Sequence, residues 1–393
     1  MRALEGRRLW FVGIGGAGLS AYAQVARAWG AEVGGWDRVE TPYLRALDGV
    51  DVRISPEPET PEGWEVVVST AYAGRIEGRP REELLAELVS LRRSIVVAGA
   101  HGKTTTTGMI AFCLEQLGLD PAFVVGGEIP QLGGNAGTGD GWFVVEGDES
   151  DRSVAALRPE IAVLLNVDLD HHTTFASRAE VEALFEEWLT HVPHVVRAEE
   201  LEPVDLPLAV AGAHNRCNAA AALAALERAG VARDDAARAI VEFRGAGRRL
   251  ERRGQAGGVE VVDDYAHHPA EIAATIAALR EHEAGRVLVL FQPHLYSRTV
   301  HLAHEFARSL AEADAACIVE IYPAREEPLA GVTGRVLVRE LARVRAGMRI
   351  GWAPTVAEGA RLLAGWARPG DVLATLGAGD VDTAVPVLLE AVE

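Results

Sequence analysis

The chain has 393 residues, 49% apolar and 24% charged, ordinary proportions for a soluble globular protein long enough for two or three domains. Its formal net charge of −19 excludes a polyanion-binding surface, so neither nucleic acid nor an acidic membrane is an expected partner. Cys113, Cys217 and Cys317 show no metal or disulfide spacing, glycines interrupt the first apolar stretch, and no run reaches the ~20 apolar residues of a membrane span. The expectation is a cytoplasmic protein.

Residues 8–21, RLWFVGIGGAGLSA, read as strand, glycine turn and helix. Gly13, Gly15 and Gly18 fit G-x-G-x-x-G, and a second strand, Ala31–Trp36, ends at Asp37. That is the pattern by which an α/β domain holds a pyrophosphate at a helix N-terminus, although the same glycines also make a tight turn that binds nothing. The motif alone does not specify NAD. A third strand, Glu65–Ser69, and a helix, Arg81–Arg92, complete a first domain over 1–93.

A second domain, 94–243, opens on SIVVAGAHGKTTTT. Ile95–Ala98 reads as a buried strand, and Gly99, Gly102, Lys103 and Thr104 form a turn that leads into a helix after Thr105. Glycines let the backbone N–H groups curl inward, and the helix start adds partial positive charge. Lys103 would then lie along nucleotide phosphates, and the Thr104 hydroxyl would reach their Mg²⁺. The G-x-x-G-K-T spacing is two residues shorter than the usual phosphate loop. Lys103 is the only lysine in the chain, every other basic residue being arginine, which fits a compact ammonium kept for phosphate. Strands at Trp142–Val145 and Ile161–Leu165 lead into EGDESD (146–151) and NVDLDHH (166–172), acids and histidines just past strand ends, where open α/β sheets bind ligands. Glu146 and His171 are the candidate ligands for that Mg²⁺. In AGAHNRCNAAAALAAL, His214 and Asn215 precede an alanine-rich helix starting near Asn218; Asn215 either reads an adenine edge or caps the helix.

A third domain, 244–393, begins within FRGAGRRLERR, an arginine cluster that either wraps phosphate or is a solvated linker. Strands near Val259–Val262, Val287–Phe291, Cys317–Ile321 and Val372–Leu376 alternate with helices near Ala270–Arg280, Leu302–Ala313 and Val336–Val344, again a parallel-sheet pattern. Two strand ends carry polar clusters, DDYAHHP (263–269) and QPHLYSRT (292–299), and their equivalent placement favours a site over scattered structural histidines.

Taken in order, GIGGAGLSA, AGAHGKTTTT, EGDESD, NVDLDHH, GAHNRCNA, GAGRRLE, DDYAHHP and FQPHLYSRT resemble the Mur ligase family over nearly the whole chain, most of all its alanine-adding branch. The resemblance implies α/β architecture in three domains: a Rossmann-like domain binding a UDP-sugar, a central P-loop ATPase-type domain, and a C-terminal Rossmann-like domain binding the amino acid. It implies an ATP- and Mg²⁺-dependent ligase joining L-alanine to the lactyl carboxylate of UDP-N-acetylmuramate through an acyl phosphate and a tetrahedral intermediate, in peptidoglycan precursor synthesis. The expected partners are these small molecules, and the expected state is a monomer or weak homodimer. By resemblance, Gly15, Gly16, Gly18, Ser20 and Asp37 hold the UDP-sugar, and Gly99, Gly102, Lys103, Thr104 and Thr105 hold ATP phosphates. Thr104, Glu146 and His171 hold the metal. His214 and Asn215 lie near adenine, Arg248 near phosphate and Asp264 near ribose or phosphate. Tyr265, His267, His294 and Arg298 face alanine and the acyl centre, with Lys103, His171, His267 and Arg298 carrying catalysis. The sequence also departs from the family, with 69–87 shortened and mild changes in GAHGK and EGDESD among the differences. The lack of a second lysine to be carbamylated agrees with the alanine-adding branch, but Leu295 stands where that branch usually has arginine, and the stretch 197–210 replaces a longer strand-rich segment, which shortens the central domain. These departures keep open a Mur-type ligase for another amino acid or acceptor, and a non-catalytic UDP-sugar binder. An NAD-dependent dehydrogenase would leave the lysine loop unexplained.

Overall fold

A computed structural model describes residues 3–169, 174–282, 285–324 and 326–393. They form three sheets. The first contains strands β1 (Arg8–Val12), β2 (Glu32–Asp37), β3 (Asp51–Ile54), β4 (Glu65–Val68) and β5 (Arg79–Pro80), all parallel in the order β3-β2-β1-β4-β5. Helix α1 (Ala17–Ala28) follows β1, and α2 (Arg81–Ser90) follows β5.

The second sheet has the order β11-β10-β6-β9-β7-β8. Its strands are β6 (Ser94–Ala98), β7 (Ala122–Ile129), β8 (Gly134–Thr138), β9 (Phe143–Glu146), β10 (Ile161–Leu164) and β11 (His194–Arg197). Only the β7–β8 pairing is antiparallel. Helices α3 (Lys103–Gln116), α4 (Arg178–Leu189), α5 (Ala213–Arg228) and α6 (Arg233–Ile240) accompany it. Helix α3 has four threonines, poor helix formers, directly after Lys103, yet everything from Thr104 to Leu114 is buried. A helix apolar on all sides belongs inside, and that burial outweighs a few tenths of a kcal/mol per threonine of weak propensity.

The third sheet runs β12-β13-β17-β14-β15-β16, from β12 (Glu251–Ala256), β13 (Val259–Asp264), β14 (Val287–Phe291), β15 (Ala315–Ile318), β16 (Arg349–Trp352) and β17 (Val372–Leu376). All its pairings are parallel except the edge strand β12 on β13. Its helices are α7 (Pro269–His282), α8 (Tyr296–His301), α9 (Ala303–Leu310), α10 (Arg335–Val344), α11 (Val356–Ala364) and α12 (Ala384–Val392).

The chain divides into two compact units, one comprising residues up to Ala209 with Arg216–Ala246, the other Val210–Asn215 with Gly247–Glu393. In the first unit two sheets share one core: a single apolar cluster contains Leu9 and Phe11 of β1, Trp29 beyond α1, Val96 of β6, and Phe143 and Val145 of β9. Trp29 meets Phe143 edge-on with ring centroids 5.1 Å apart, and the Asn135 amide of β8 donates to the Ala17 carbonyl at 2.8 Å.

Two expectations shift. Helix α5 starts at Ala213 and not near Asn218, because Gly212, at φ +97°, makes the turn and the Asn215 amide donates back to the Ala211 carbonyl at 2.6 Å. His214 and Asn215 therefore sit in its first turn. The arginine cluster is not a plain linker, since its C-terminal part runs into the edge strand β12.

Candidate active site

The buried strand β6 ends in a loop whose curvature needs two glycines. Gly99 has φ +134° and Gly102 φ +87°, and a Cβ on Gly102 would lie 2.5 Å from Asn218 Oδ1. Only glycine accepts both the left-handed backbone and that approach. Asn166, just past β10, pins the loop from the other side. Its Oδ1 accepts from the His101 N–H at 2.9 Å, its Nδ2 donates to the His101 carbonyl at 2.9 Å, and its own carbonyl accepts from Ala100 N–H at 3.3 Å. Helix α3 then starts at Lys103, so its unpaired N–H groups face the loop.

Acidic residues reach this loop because β9 pairs with β6, Glu146 lying opposite Val97. Lys103 Nζ donates to the Gly99 carbonyl at 2.6 Å and to both oxygens of Glu149, at 2.9 and 3.2 Å. Glu149 is only 2% exposed. Burial pulls the Lys103 ammonium down, but Glu149, with Asp148 and Glu146 behind it, outweighs that and raises its pKa. Burial likewise opposes ionisation of Asp148, yet Lys103 and the bond from Ser150 N–H hold its carboxyl below the usual range. Glu146 Oε1 accepts from Gly126 N–H at 2.6 Å. Thr104 and Thr105 are buried at the helix start. Thr104 and Glu146 carry oxygen atoms, the donor type a hard dication such as Mg²⁺ prefers. His171 lies outside the described residues.

At the end of β1, Gly13 has φ +87°, and a Cβ there would lie 2.5 Å from Ser69 Oγ. Gly15 N–H donates to Asp37 Oδ2 at 2.8 Å, and Thr41 Oγ1 donates to the Gly15 carbonyl at 2.7 Å. Gly16 precedes α1 directly and Gly18 lies in its first turn. Asp37 thus braces the glycine turn through its backbone. Ser20 is fully buried, its hydroxyl donating to the Ala17 carbonyl at 3.0 Å.

In the second unit β13, β17 and β14 are neighbours, so their carboxyl ends gather residues 263–268, 377–380 and 292–298. His267 packs edge-on against Tyr265, centroids 5.3 Å apart, and against His294 at 5.8 Å. His294 stacks on Tyr322 at 5.8 Å, and Arg298, 4% exposed, places Nη1 3.4 Å from His294 Nδ1. His267 Nδ1 is 2.9 Å from the Tyr265 carbonyl, a contact that only an N–H satisfies, so the neutral ring has its lone pair on Nε2. Glu271 accepts from the His267 and His268 N–H groups at 3.0 and 3.2 Å. Leu295 carries φ +71°, which turns the chain into α8.

Arg248 and Asp264 are committed to the framework. Arg248 donates to Asp263 at 2.9 Å and to the carbonyls of Gly377 and Gly379 at 2.7 and 3.0 Å. Asp264 accepts from Leu250 and Ala266 N–H, each at 2.7 Å, and burial pushes its carboxyl up to about 6 against those bonds. Tyr265 lies beneath both the Arg248 and Arg249 guanidinium groups, each 5.2 Å from its ring centre.

The structure thus brings Lys103, Thr104, Thr105 and Glu146 to one loop cluster, and Tyr265, His267, His294 and Arg298 to another. Sequence reasoning missed Asn166, Asn218, Glu271 and Tyr322. Asn166 opens a stretch already singled out by its strand-end position; the other three carried no signal of their own.

Two family models match the chain: the Mur ligase middle domain over residues 97–197, and the Mur ligase glutamate ligase domain over residues 248–379. A UDP-N-acetylmuramate--L-alanine ligase of Streptomyces avermitilis is 38% identical, with 97% of this chain and 96% of the relative covered. That of Streptomyces coelicolor is 39% identical at the same coverage. The first alignment runs over 449 positions, more than this chain has residues, so that relative carries segments absent here. The crystal structure of the UDP-N-acetylmuramate-alanine ligase MurC from Thermotoga maritima superposes with a TM-score of 0.80 at 25% identity, covering 98% of both chains.

Proposed function

The chain belongs to the Mur ligase family, and from that premise we propose that it uses ATP to join L-alanine to the lactyl carboxylate of UDP-N-acetylmuramate. The observation that carries this reading is the half-buried Lys103 at a glycine-bent strand-to-helix loop, with Glu146, Asp148 and Glu149 beside it. In this reading 1–93 binds the UDP-sugar, 94–243 binds ATP, and 244–393 receives the amino acid.

Attack of a carboxylate on a phosphate brings two anions together, so the chain's task is charge compensation and alignment. Lys103 and the first N–H groups of α3 line the β- and γ-phosphates, with Gly99, Gly102 and Thr105 shaping the cradle. Thr104, Glu146 and His171 would hold Mg²⁺, which supplies Lewis-acid neutralisation of phosphate charge. The glycine turn at Gly15, Gly16 and Gly18, braced by Asp37 and Ser20, receives the UDP pyrophosphate. His214 and Asn215 serve adenine, while Arg248 and Asp264 hold the strand ends near ribose and phosphate.

The carboxylate so activated is an acyl phosphate. Arg298 and His294 orient alanine, Tyr265 lines the pocket, and His267 Nε2 takes the proton that the attacking amine must lose. The tetrahedral intermediate then collapses by expelling phosphate.

The test is phosphate release from Mg·ATP with UDP-N-acetylmuramate, with and without L-alanine, alongside the product mass. Release that needs both, with a product heavier by one alanine residue, is the expected result. Because Leu295 replaces an arginine of the alanine-adding branch, the same assay is run with a panel of amino acids. Release with another amino acid alone would move the activity to a sister reaction.

A further inference from the structure

Glu149 is given no chemical role in the scheme above, yet it is the side chain most directly engaged with Lys103. Both its oxygens lie within 3.2 Å of Lys103 Nζ, and the carboxylate is 2% exposed. Bidentate contact on this half-buried ammonium offsets the positive charge that a phosphate loop ordinarily offers to an anion. Glu146 and Asp148 stand in the same loop and add negative charge that Lys103 also feels. Arg81 Nη2 is shared between Asp148, at 3.7 Å, and Asp151, at 3.4 Å. By formal charge, Glu146, Asp148, Glu149 and Asp151 outnumber Lys103 and Arg81 at the mouth of α3.

The geometry points to Glu149 as a positioning residue that makes the phosphate loop selective for metal-complexed nucleotide over free nucleotide. It holds Lys103 along the loop, against the Gly99 carbonyl, and neutralises it. A free triphosphate, carrying about four negative charges, then meets carboxylates before it meets a usable cation. A nucleotide that arrives with a divalent ion brings its own compensation, and the carboxylates that repel the free form attract the complex. Specificity of this kind comes from the repulsive element as much as from the attractive one. The inference rests on the nucleotide role of this loop proposed above.

The experiment is calorimetric titration of the full chain with ATP, once in Mg²⁺ and once in EDTA, for the wild type, Glu149→Gln and Glu149→Asp. Glutamine keeps the shape and one acceptor for Lys103 while removing the charge. We expect the ratio of Kd in EDTA to Kd in Mg²⁺ to fall at least tenfold in E149Q, chiefly through tighter binding of the free nucleotide. E149D, which keeps the charge, should hold the wild-type ratio within threefold even if both affinities weaken. Parallel weakening of both forms in E149Q, with the ratio unchanged, would mean that Glu149 is only a structural prop and overturns the inference. If E149Q does not fold, Glu149→Ala reports the same ratio with the same expectation. A wild type that binds no Mg·ATP would overturn the nucleotide reading itself, a result distinct from an unchanged ratio.

Discussion

Replacing Asn166 by alanine removes the clamp on the phosphate loop without touching any group assigned to ATP. Two reciprocal side-chain bonds to His101, each 2.9 Å, are lost, while the backbone bond from Ala100 remains. At about 1 kcal/mol net for each bond, the loop loses on the order of 2 kcal/mol of ordering. If nucleotide binding must restore that order, ATP affinity falls by roughly 10- to 30-fold. Asn166→Asp sharpens the test. Aspartate keeps the acceptor for His101 N–H, but it presents a carboxylate oxygen to the His101 carbonyl and adds negative charge beside the bound phosphates. The expected order of Mg·ATP affinity is therefore wild type, then N166A, then N166D, and raised salt should narrow the gap between the two variants. Binding of UDP-N-acetylmuramate, measured in the same calorimeter, should stay within twofold. An N166A variant with wild-type ATP affinity, or N166D binding better than N166A, would refute the reasoning.

Lys103→Met should abolish ATP-dependent turnover and also destabilise the first unit by about 3–5 kcal/mol, because Glu149 is left buried without its counter-charge. Adding E149Q to K103M should recover part of that stability but no activity; a double variant no more resistant to urea than K103M would contradict the pairing. Asp264 titrates at about 6 when folded against 3.8 in the open chain, so folding retains a proton between those values. Its contribution is full below about pH 3.8 and is lost as pH rises through about 6, amounting to about 3 kcal/mol. The unfolding free energy of the wild type minus that of Asp264→Asn should fall by about 2 kcal/mol of this from pH 4 to pH 7, whereas parallel profiles would refute the shift. Arg248→Lys should cost about 1–3 kcal/mol, since one ammonium cannot serve Asp263 and the carbonyls of Gly377 and Gly379 together; an unchanged urea midpoint would show that the framework role is wrong.

The strands most clearly legible in the sequence include several buried along their whole length. Ser94–Ala98, Val287–Phe291 and Val372–Leu376 are continuous apolar runs for that reason. The edge strands were not legible: GNAGT of β8 and ERRGQA of β12 are glycine-rich or charged, and the backbone pairing that makes them strands leaves no mark on composition. The same division holds at the candidate site. Lys103, Glu146, His267 and His294 follow strand ends and could be found by position. Asn218 reaches the phosphate loop only because Gly102 lacks a side chain, and Tyr322 reaches His294 from a different strand end, so neither is predictable from its own neighbourhood. Asp37 had a motif position, but its carboxylate is occupied by the turn that the motif describes.

The single core beneath the first two sheets also limits how this chain can be recombined. A domain boundary drawn near residue 93 separates two sequence patterns, yet Trp29 has its ring partner in β9 and Ala17 has its amide partner in β8. A chimera that takes residues 1–93 from a relative must therefore import matching residues at 135 and 143, or it inherits a mismatched seam in the middle of its core. The covalent junction is easy to cut. The packing junction lies elsewhere, and it is the one that evolution and engineering have to move as a piece.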